Sequence, residues 1–181
     1  MRGLARGLLA ALILILLTSL PSYACERSAS RGDYVVGDAE LAKALETVRM
    51  ARRAGWPEPL VRMAGAIAMA ETRGYNERVG DEDLETGKWG PSVGLMQVRT
   101  LREQRGTGGP RDIDRIGDPL ENMRAALAIY RGDDVTLGGK KHYEPGGFDQ
   151  WSTYGSGAYK EFEPVVDRAA VIDNFLSGRM R

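Results

Sequence analysis

The chain has 181 residues, which is long enough for one domain with a sizeable core. Hydrophobic residues make up 43% of it and charged residues 28%, and both values are ordinary for a globular protein. The 25 basic and 25 acidic residues balance, and no dense basic patch with interleaved aromatic residues is present in the sequence. This charge pattern gives no reason to expect a nucleic-acid-binding protein.

The first 24 residues have the pattern of a secretory signal peptide. Arg2 and Arg6 precede the apolar run 8–17, and residues 21–24 place small side chains at the −3 and −1 positions of a cleavage site after Ala24. The run is short for a bilayer span, so an uncleaved membrane anchor is the less favoured alternative. We therefore predict an exported protein that is secreted, periplasmic or associated with the cell envelope.

Cys25 is the only cysteine, so no internal disulfide can form. It directly follows the predicted cleavage site, which is the position of the lipid-bearing cysteine in bacterial lipoproteins. Ser22 and Tyr23 fit such a signal poorly, and a lipid anchor is therefore the less favoured alternative. We predict a flexible leader over residues 25–37 and one domain over residues 38–181.

Four helices are predicted from apolar residues at helical spacing and from the residues at their ends. Asp38 is expected to cap the first helix, which ends near Arg53, and Asp118-Pro119 begins the third, which ends at Gly132. The second helix covers about 60–72, and the last passes through Val165 and Leu176. The stretches 75–90, 106–110 and 133–147 are predicted loops. With no sustained alternating pattern, the expected fold is mainly α with little or no β-sheet.

One carboxylate, Glu71, continues an apolar stripe on the second helix. Leu60, Ala64 and Ile67 fall on the same helical line, and Arg62 points away from it. Loss of water around a carboxylate raises its pKa, so that it keeps its proton near neutral pH. The pattern predicts that Glu71 acts as a general acid.

Residues 89–98 read as a turn that leads into a short apolar run carrying Gln97. Together with Ser92, Trp151 and Tyr154, this amide supplies the amide, hydroxyl and aromatic groups that a sugar-polymer site uses around a buried acid. Each residue alone has a structural explanation: a salt-bridged glutamate, a surface amide, a core aromatic. The combination favours a site.

The loop before this turn is acidic and contains Asp81, Glu82, Asp83 and Glu85. Its spacing is not that of an EF-hand loop, and His142 has no partner histidine or cysteine pair, so we predict neither a metal nor a cofactor. A solvated surface loop is the favoured interpretation. The alternative, in which the loop supplies a second carboxylate to a cleft, stays open.

Four segments resemble the lysozyme-like lytic transglycosylase (soluble lytic transglycosylase) domain in order and spacing, across about 57–159. They are 66–72 around Glu71, 94–98 (Gly-Leu-Met-Gln-Val), Asn122 with Ala125-Ala126, and 151–159. The turn 90–94 and the motif at Trp151 resemble actinobacterial and actinophage members in particular.

The resemblance implies a lysozyme-like fold and an enzyme that cleaves peptidoglycan between N-acetylmuramic acid and N-acetylglucosamine, forming a 1,6-anhydro end. Glu71 would be the catalytic acid and then the base. Gln97 and the backbone from Ser92 to Gly94 would hold the N-acetyl sugars, and Tyr154 would lie over the reacting ring, with Tyr159 as the other candidate. Met96, Trp151 and Asn122 complete the substrate-binding set.

Two departures from the family pattern keep alternatives open. Thr72 stands where the family usually has serine, and the acidic insertion 80–89 is longer than usual. If Asp81, Asp83 or Glu85 reaches the cleft, the enzyme would hydrolyse the same bond with water, like a goose-type lysozyme. A third hypothesis is a non-catalytic cell-wall binding or assembly protein. We expect a monomer, and any partner in the cell-envelope machinery is left unnamed by the sequence.

Overall fold

The computed structural model describes residues 37–132, 135–137, 140–142 and 146–179. The predicted signal peptide, Cys25, the predicted leader up to residue 36 and the side chain of His142 lie outside the described part. Within that part, no helix is both long enough and apolar enough to cross a membrane.

Helices dominate the described residues, as the sequence predicts. In chain order they are α1 Asp38–Ala54, α2 Glu58–Thr72, α3 Ile113–Ile116, α4 Pro119–Arg131, α5 Ser152–Gly155 and α6 Glu163–Leu176. Short 3₁₀ turns cover Glu82–Leu84, Arg102–Gln104, Phe148–Gln150 and Ala158–Glu161. The strands are β1 Val79–Gly80, β2 Trp89–Val93, β3 Val98–Leu101, β4 Val135–Leu137 and β5 Lys140–His142. The mainly α fold class is confirmed.

The predicted helix ends agree with the structure in most cases. Gly55 and Gly132 end α1 and α4 in the left-handed conformation, with φ of 89° and 73°, and Asp118 accepts hydrogen bonds from the backbone of Leu120 and Glu121 at the start of α4. The capping role predicted for Asp38 is wrong. Asp38 is the first helical residue, Gly37 is the N-cap, and no side chain caps this end.

Helix α2 is the centre of the core, and α1 and α6 pack against it. It is buried on several sides, because small residues alternate with larger apolar ones along its length. Its buried residues are Val61, Ala64, Gly65, Ala66, Ile67, Ala68, Met69 and Thr72. A helix enclosed in this way holds the residues of its last turn in a fixed place, and Glu71 is one of them.

The stretch predicted as a turn and an apolar run forms β2 and β3 of a small antiparallel sheet, with strand order β1-β2-β3. Gly80 pairs with Ser92, and Ser92 pairs with Arg99, so these residues form one row across the sheet. The register is irregular between Trp89 and Ser92. This sheet forms one wall beside the end of α2.

The loop predicted over 133–147 is wrong for 135–137 and 140–142, which pair as an antiparallel hairpin of β4 and β5. The two strands are separated in the sequence by Gly138-Gly139, a dipeptide that suits a tight hairpin turn. Three-residue strands are too short to show an alternating pattern, which is why the sequence did not indicate them.

Candidate active-site cleft

A cleft of about 460 Å³ opens between the end of α2, the three-stranded sheet and the start of α5. Most of the residues that line it are polar, charged or aromatic. They are Glu71, Asp81, Trp89, Ser92, Gln97, Val98, Arg99, Arg111, Ile129, Gln150, Trp151 and Ser152. Of the sequence-predicted site residues, this cleft brings together Glu71, Ser92, Gln97 and Trp151.

Glu71 lies half-buried in the last turn of α2, below the fully buried Ala64 and Ile67. Its Oε1 accepts a hydrogen bond of 2.7 Å from the Thr153 hydroxyl. Burial raises the pKa of the Glu71 carboxyl, and the negative charge of Asp81 raises it further, while hydrogen bonds from the Thr153 hydroxyl and backbone oppose these effects. The carboxyl therefore keeps its proton to a higher pH than an ordinary glutamate.

Thr72, which replaces the usual serine, is fully buried beside Glu71. Its hydroxyl lies 3.0 Å from the Ala68 carbonyl and 3.2 Å from the Leu95 carbonyl. The hydroxyl thus connects α2 to the turn between β2 and β3, and the extra methyl is accommodated in the core.

Of the three acidic residues left open by the sequence, Asp81 lines the cleft. It follows β1 in the left-handed conformation, with φ of 55°, and its Oδ2 accepts a hydrogen bond from the Ser92 hydroxyl. Glu85 forms an ion pair with Arg102, and Asp83 is exposed in the 3₁₀ turn. The acidic loop therefore brings one carboxylate, Asp81, to the cleft that holds Glu71.

Gln97 lines the cleft from the turn between β2 and β3, where its φ is 44°. Its Nε2 donates to the carbonyls of Arg78 and Gly94, both at 3.1 Å. These two bonds occupy both hydrogens of the side-chain amide and fix its orientation. What Gln97 offers to a ligand is consequently its acceptor oxygen, Oε1.

Trp151 forms the opposite wall but is only 5% exposed. Its Nε1 donates to the Met96 carbonyl at 2.7 Å. The ring is therefore locked against the turn, and it presents only a small part of its surface to the cleft.

Gly94 and Met96 belong to the turn and Asn122 lies on α4, and none of the three is among the residues that line the cleft. Asn122 is fully buried: its Nδ2 donates to the carbonyls of Val93 (2.8 Å) and Ile116 (3.1 Å), and its Oδ1 accepts from the Met96 backbone at 2.9 Å. A Cβ on Gly94, whose φ is 74°, would lie 2.4 Å from Asn122 Nδ2. These positions support a role in holding the turn, and direct contact with substrate stays a prediction.

Tyr154, predicted to cover the reacting sugar, is not among the cleft-lining residues. Its ring stacks on Tyr159 with centroids 5.2 Å apart and contacts Phe148 at 5.6 Å. Both tyrosines pack against the core while remaining partly exposed. Their assignment to the substrate stays a prediction.

Two arginines that line the cleft, Arg99 and Arg111, were not predicted from the sequence. Arg111 lies over the Trp89 ring at 5.3 Å, and Arg99 extends from β3 into the cleft. Recognising β3 as a strand would have indicated Arg99, because in a strand it points opposite to the buried Val98 and Thr100. Arg111 carried no local signal.

Among the described side chains, no group of three or more histidine, cysteine, aspartate or glutamate residues is arranged to hold a metal ion. What the cleft does provide is a glutamic acid in a desolvated position, a second carboxylate, and an amide fixed by its neighbours. These groups suit proton transfer to and from a polar substrate such as a sugar chain.

Residues 48–137 match a family model described as a lysozyme-like domain. The chain belongs to the lysozyme-like lytic transglycosylase family. No curated protein and no solved structure matches it. The matched range contains Glu71, Asp81 and Gln97 and ends before Trp151 and Thr153.

This membership confirms the family and fold predicted from the sequence. It supports a peptidoglycan-cleaving enzyme that works outside the cytoplasm. The closer resemblance to actinobacterial and actinophage members stays a prediction.

Proposed function

We propose that this protein is a peptidoglycan lytic transglycosylase that cleaves the β-1,4 bond between N-acetylmuramic acid and N-acetylglucosamine, with Glu71 as general acid and then general base. The observation that carries the proposal is the position of Glu71. It lies at the wall of a sugar-sized cleft, and burial raises the pKa of its carboxyl.

In the first step, the protonated Glu71 gives its proton to the glycosidic oxygen as the bond from that oxygen to the muramic C1 breaks. The acetamide oxygen of the same muramic residue forms a bond to C1, so a second carboxylate is not needed to stabilise the cation. The Thr153 hydroxyl, 2.7 Å from Glu71 Oε1, stabilises the carboxylate that this step creates.

In the second step, the 6-hydroxyl of the muramic residue attacks C1, and its proton passes to the Glu71 carboxylate. The acetamide is released, the 1,6-anhydro end forms, and Glu71 is again protonated without consumption of water. Gln97 Oε1 is available to accept a hydrogen bond from an N-acetyl N–H, because the amide nitrogen is occupied by Arg78 and Gly94.

Hydrolysis of the same bond is the second candidate, and the position of Asp81 favours it. Asp81 lines the cleft, its charge acts on Glu71, and Ser92 fixes its orientation. In this mechanism Asp81 takes a proton from a water molecule that attacks C1, while Glu71 protonates the leaving oxygen. The product then carries a reducing end.

The test is a digest of purified peptidoglycan, with the released fragments weighed by mass spectrometry. Wild-type protein is compared with Glu71→Gln, with Asp81→Asn, and with Glu46→Gln as a control at an exposed position on α1. A transglycosylase releases fragments one water lighter than hydrolytic ones. Glu71→Gln lowers the rate at least about 100-fold, and Glu46→Gln has no effect.

Two other results would support a different function. Full-weight reducing fragments that disappear in Asp81→Asn identify the hydrolase. Binding of glycan strands without any turnover, unchanged in Glu71→Gln, would sink both mechanisms and leave a cell-wall binding protein.

For localisation, we propose export directed by residues 1–24, a monomeric mature enzyme, and no required cofactor. The intact mass of protein recovered from an expressing bacterium tests the export step. A chain that begins at Cys25 supports it, an added acyl mass on Cys25 identifies the lipid-anchored alternative, and an uncleaved chain argues against the signal peptide.

A further inference from the structure

The sheet wall of the cleft carries a positive charge that the proposed cleavage chemistry does not use. Arg99 lies on β3 and lines the cleft. Its Nε donates to the Gly90 carbonyl at 3.3 Å, and its Nη2 donates to the Leu84 carbonyl. Both partners are neutral, and among the described residues no carboxylate forms an ion pair with Arg99.

The register of the sheet places this charge close to the acidic groups of the cleft. Arg99 pairs directly with Ser92, and directly paired residues project from the same face of a sheet with Cβ atoms about 4.5–5.5 Å apart. Ser92 in turn donates to Asp81. Ser92 thus contacts Asp81 through its hydroxyl and pairs with Arg99 across the sheet.

The ionisable residues lining the cleft are Glu71, Asp81, Arg99 and Arg111. Neutral N-acetyl sugars need hydrogen-bonding groups but no cation. A guanidinium on the wall is instead suited to a carboxylate, because its planar donors match the two oxygens.

We propose that Arg99 binds a carboxylate carried on the lactyl arm of the muramic acid residue, and thereby makes the cleft prefer muramic-acid-containing strands over neutral N-acetylglucosamine polymers. This inference rests on the proposed function, since it concerns the substrate of the same cleft. The carboxylate has two sources. In peptide-free strands it is the lactyl group's own, and in peptide-bearing strands it belongs to the stem peptide.

The experiment measures binding by calorimetry in the full-length Glu71→Gln protein, with three probes: an N-acetylglucosamine oligosaccharide, peptide-free glycan strands and peptide-bearing strands. Arg99→Gln and Arg99→Lys are added to this background. Arg62→Gln is the matched control, because Arg62 is an exposed arginine that pairs with Asp167 at 3.2 Å, away from the cleft.

We expect the parent protein to bind muramic-containing strands more tightly than the neutral oligosaccharide. Arg99→Gln reduces this preference about tenfold or more, which is the size of a charge-assisted hydrogen bond. Arg99→Lys restores part of it, since the charge remains and the planar fork is lost. Arg62→Gln leaves it unchanged. A loss already present with peptide-free strands identifies the lactyl carboxylate, and a loss confined to peptide-bearing strands identifies the stem peptide.

Two results overturn the inference: no preference in the parent protein, or an equal loss of affinity for neutral and anionic probes in Arg99→Gln. The second would mean that Arg99 serves only to hold Leu84 and Gly90. Cleavage by the wild-type protein is measured in parallel to separate the two proposals. If the protein cleaves peptidoglycan but its preference for muramic-containing strands does not depend on Arg99, this inference alone is wrong. If the preference depends on Arg99 but the protein does not cleave peptidoglycan, the proposed function alone is wrong.

Discussion

Replacing Asn122 with alanine tests whether one buried amide supports the turn that carries Gln97. Asn122 is fully buried and makes three hydrogen bonds of 2.8–3.1 Å, to the carbonyls of Val93 and Ile116 and from the Met96 N–H. Asn122→Ala leaves these three backbone groups without partners. A buried group that loses its partner costs about 1–3 kcal/mol, so the expected loss of unfolding free energy for three such groups is roughly 3–9 kcal/mol.

That loss is a large share of the ~5–15 kcal/mol that stabilises a typical domain. Urea denaturation followed by tryptophan fluorescence measures it. Asn174→Ala is the control, because Asn174 accepts one bond, from Arg52 at 2.7 Å, and its removal should cost less than about 1.5 kcal/mol. If Asn122→Ala costs no more than the control, the turn is held by other contacts and the reasoning is refuted.

Three further predictions concern charged groups. Because burial raises the pKa of Glu71, the folded state keeps this proton to a higher pH than the unfolded state, whose glutamate titrates near 4.5. Ionisation of Glu71 therefore opposes folding as the pH rises. Urea unfolding should show that Glu71→Gln is more stable than wild type at pH 7 but not at pH 4. Asp81→Asn removes a charge that raises the pKa of Glu71, so the alkaline limb of the activity profile should shift to lower pH; an unshifted limb would mean that the two carboxyls do not interact. Asp173→Ala should lower the free energy of unfolding by about 3–5 kcal/mol in urea titrations. The reason is that this buried carboxylate binds Arg49 at 2.8 Å, Arg52 at 2.5 Å and Arg179 at 3.3 Å. The control is Asp167→Ala, which breaks the exposed pair with Arg62 and should change stability by less than about 1 kcal/mol.

The four long helices could be predicted because their signals are local, whereas α3 and α5, of four residues each, were not predicted. Apolar spacing and the residues at the ends of α2, α4 and α6 are properties of consecutive residues, and they gave boundaries close to those observed. Asp38 shows the limit of this reasoning. A residue suited to capping stands next to Gly37, and which of the two becomes the cap depends on the backbone entering the helix.

The strands could not be predicted in the same way. β1 has two residues, β4 and β5 have three each, and β2 contains Gly90 and Pro91. Such short strands form because a partner lies beside them, and pairing between separated segments leaves little trace in local composition. The pairing of 135–137 with 140–142 and the position of Ser92 beside both Asp81 and Arg99 were hidden for this reason.

The sequence by itself determined the family, the helical class and the central position of Glu71 on an apolar stripe. Each of these depends on residue type and spacing along one helix or within one motif. Only the tertiary structure decided which carboxylate of the acidic loop reaches the cleft, that the Gln97 amide nitrogen is held by two backbone carbonyls, and that Arg99 lines the wall. These features arise where a strand, a turn and a helix from distant parts of the chain converge, and their distances are fixed by packing.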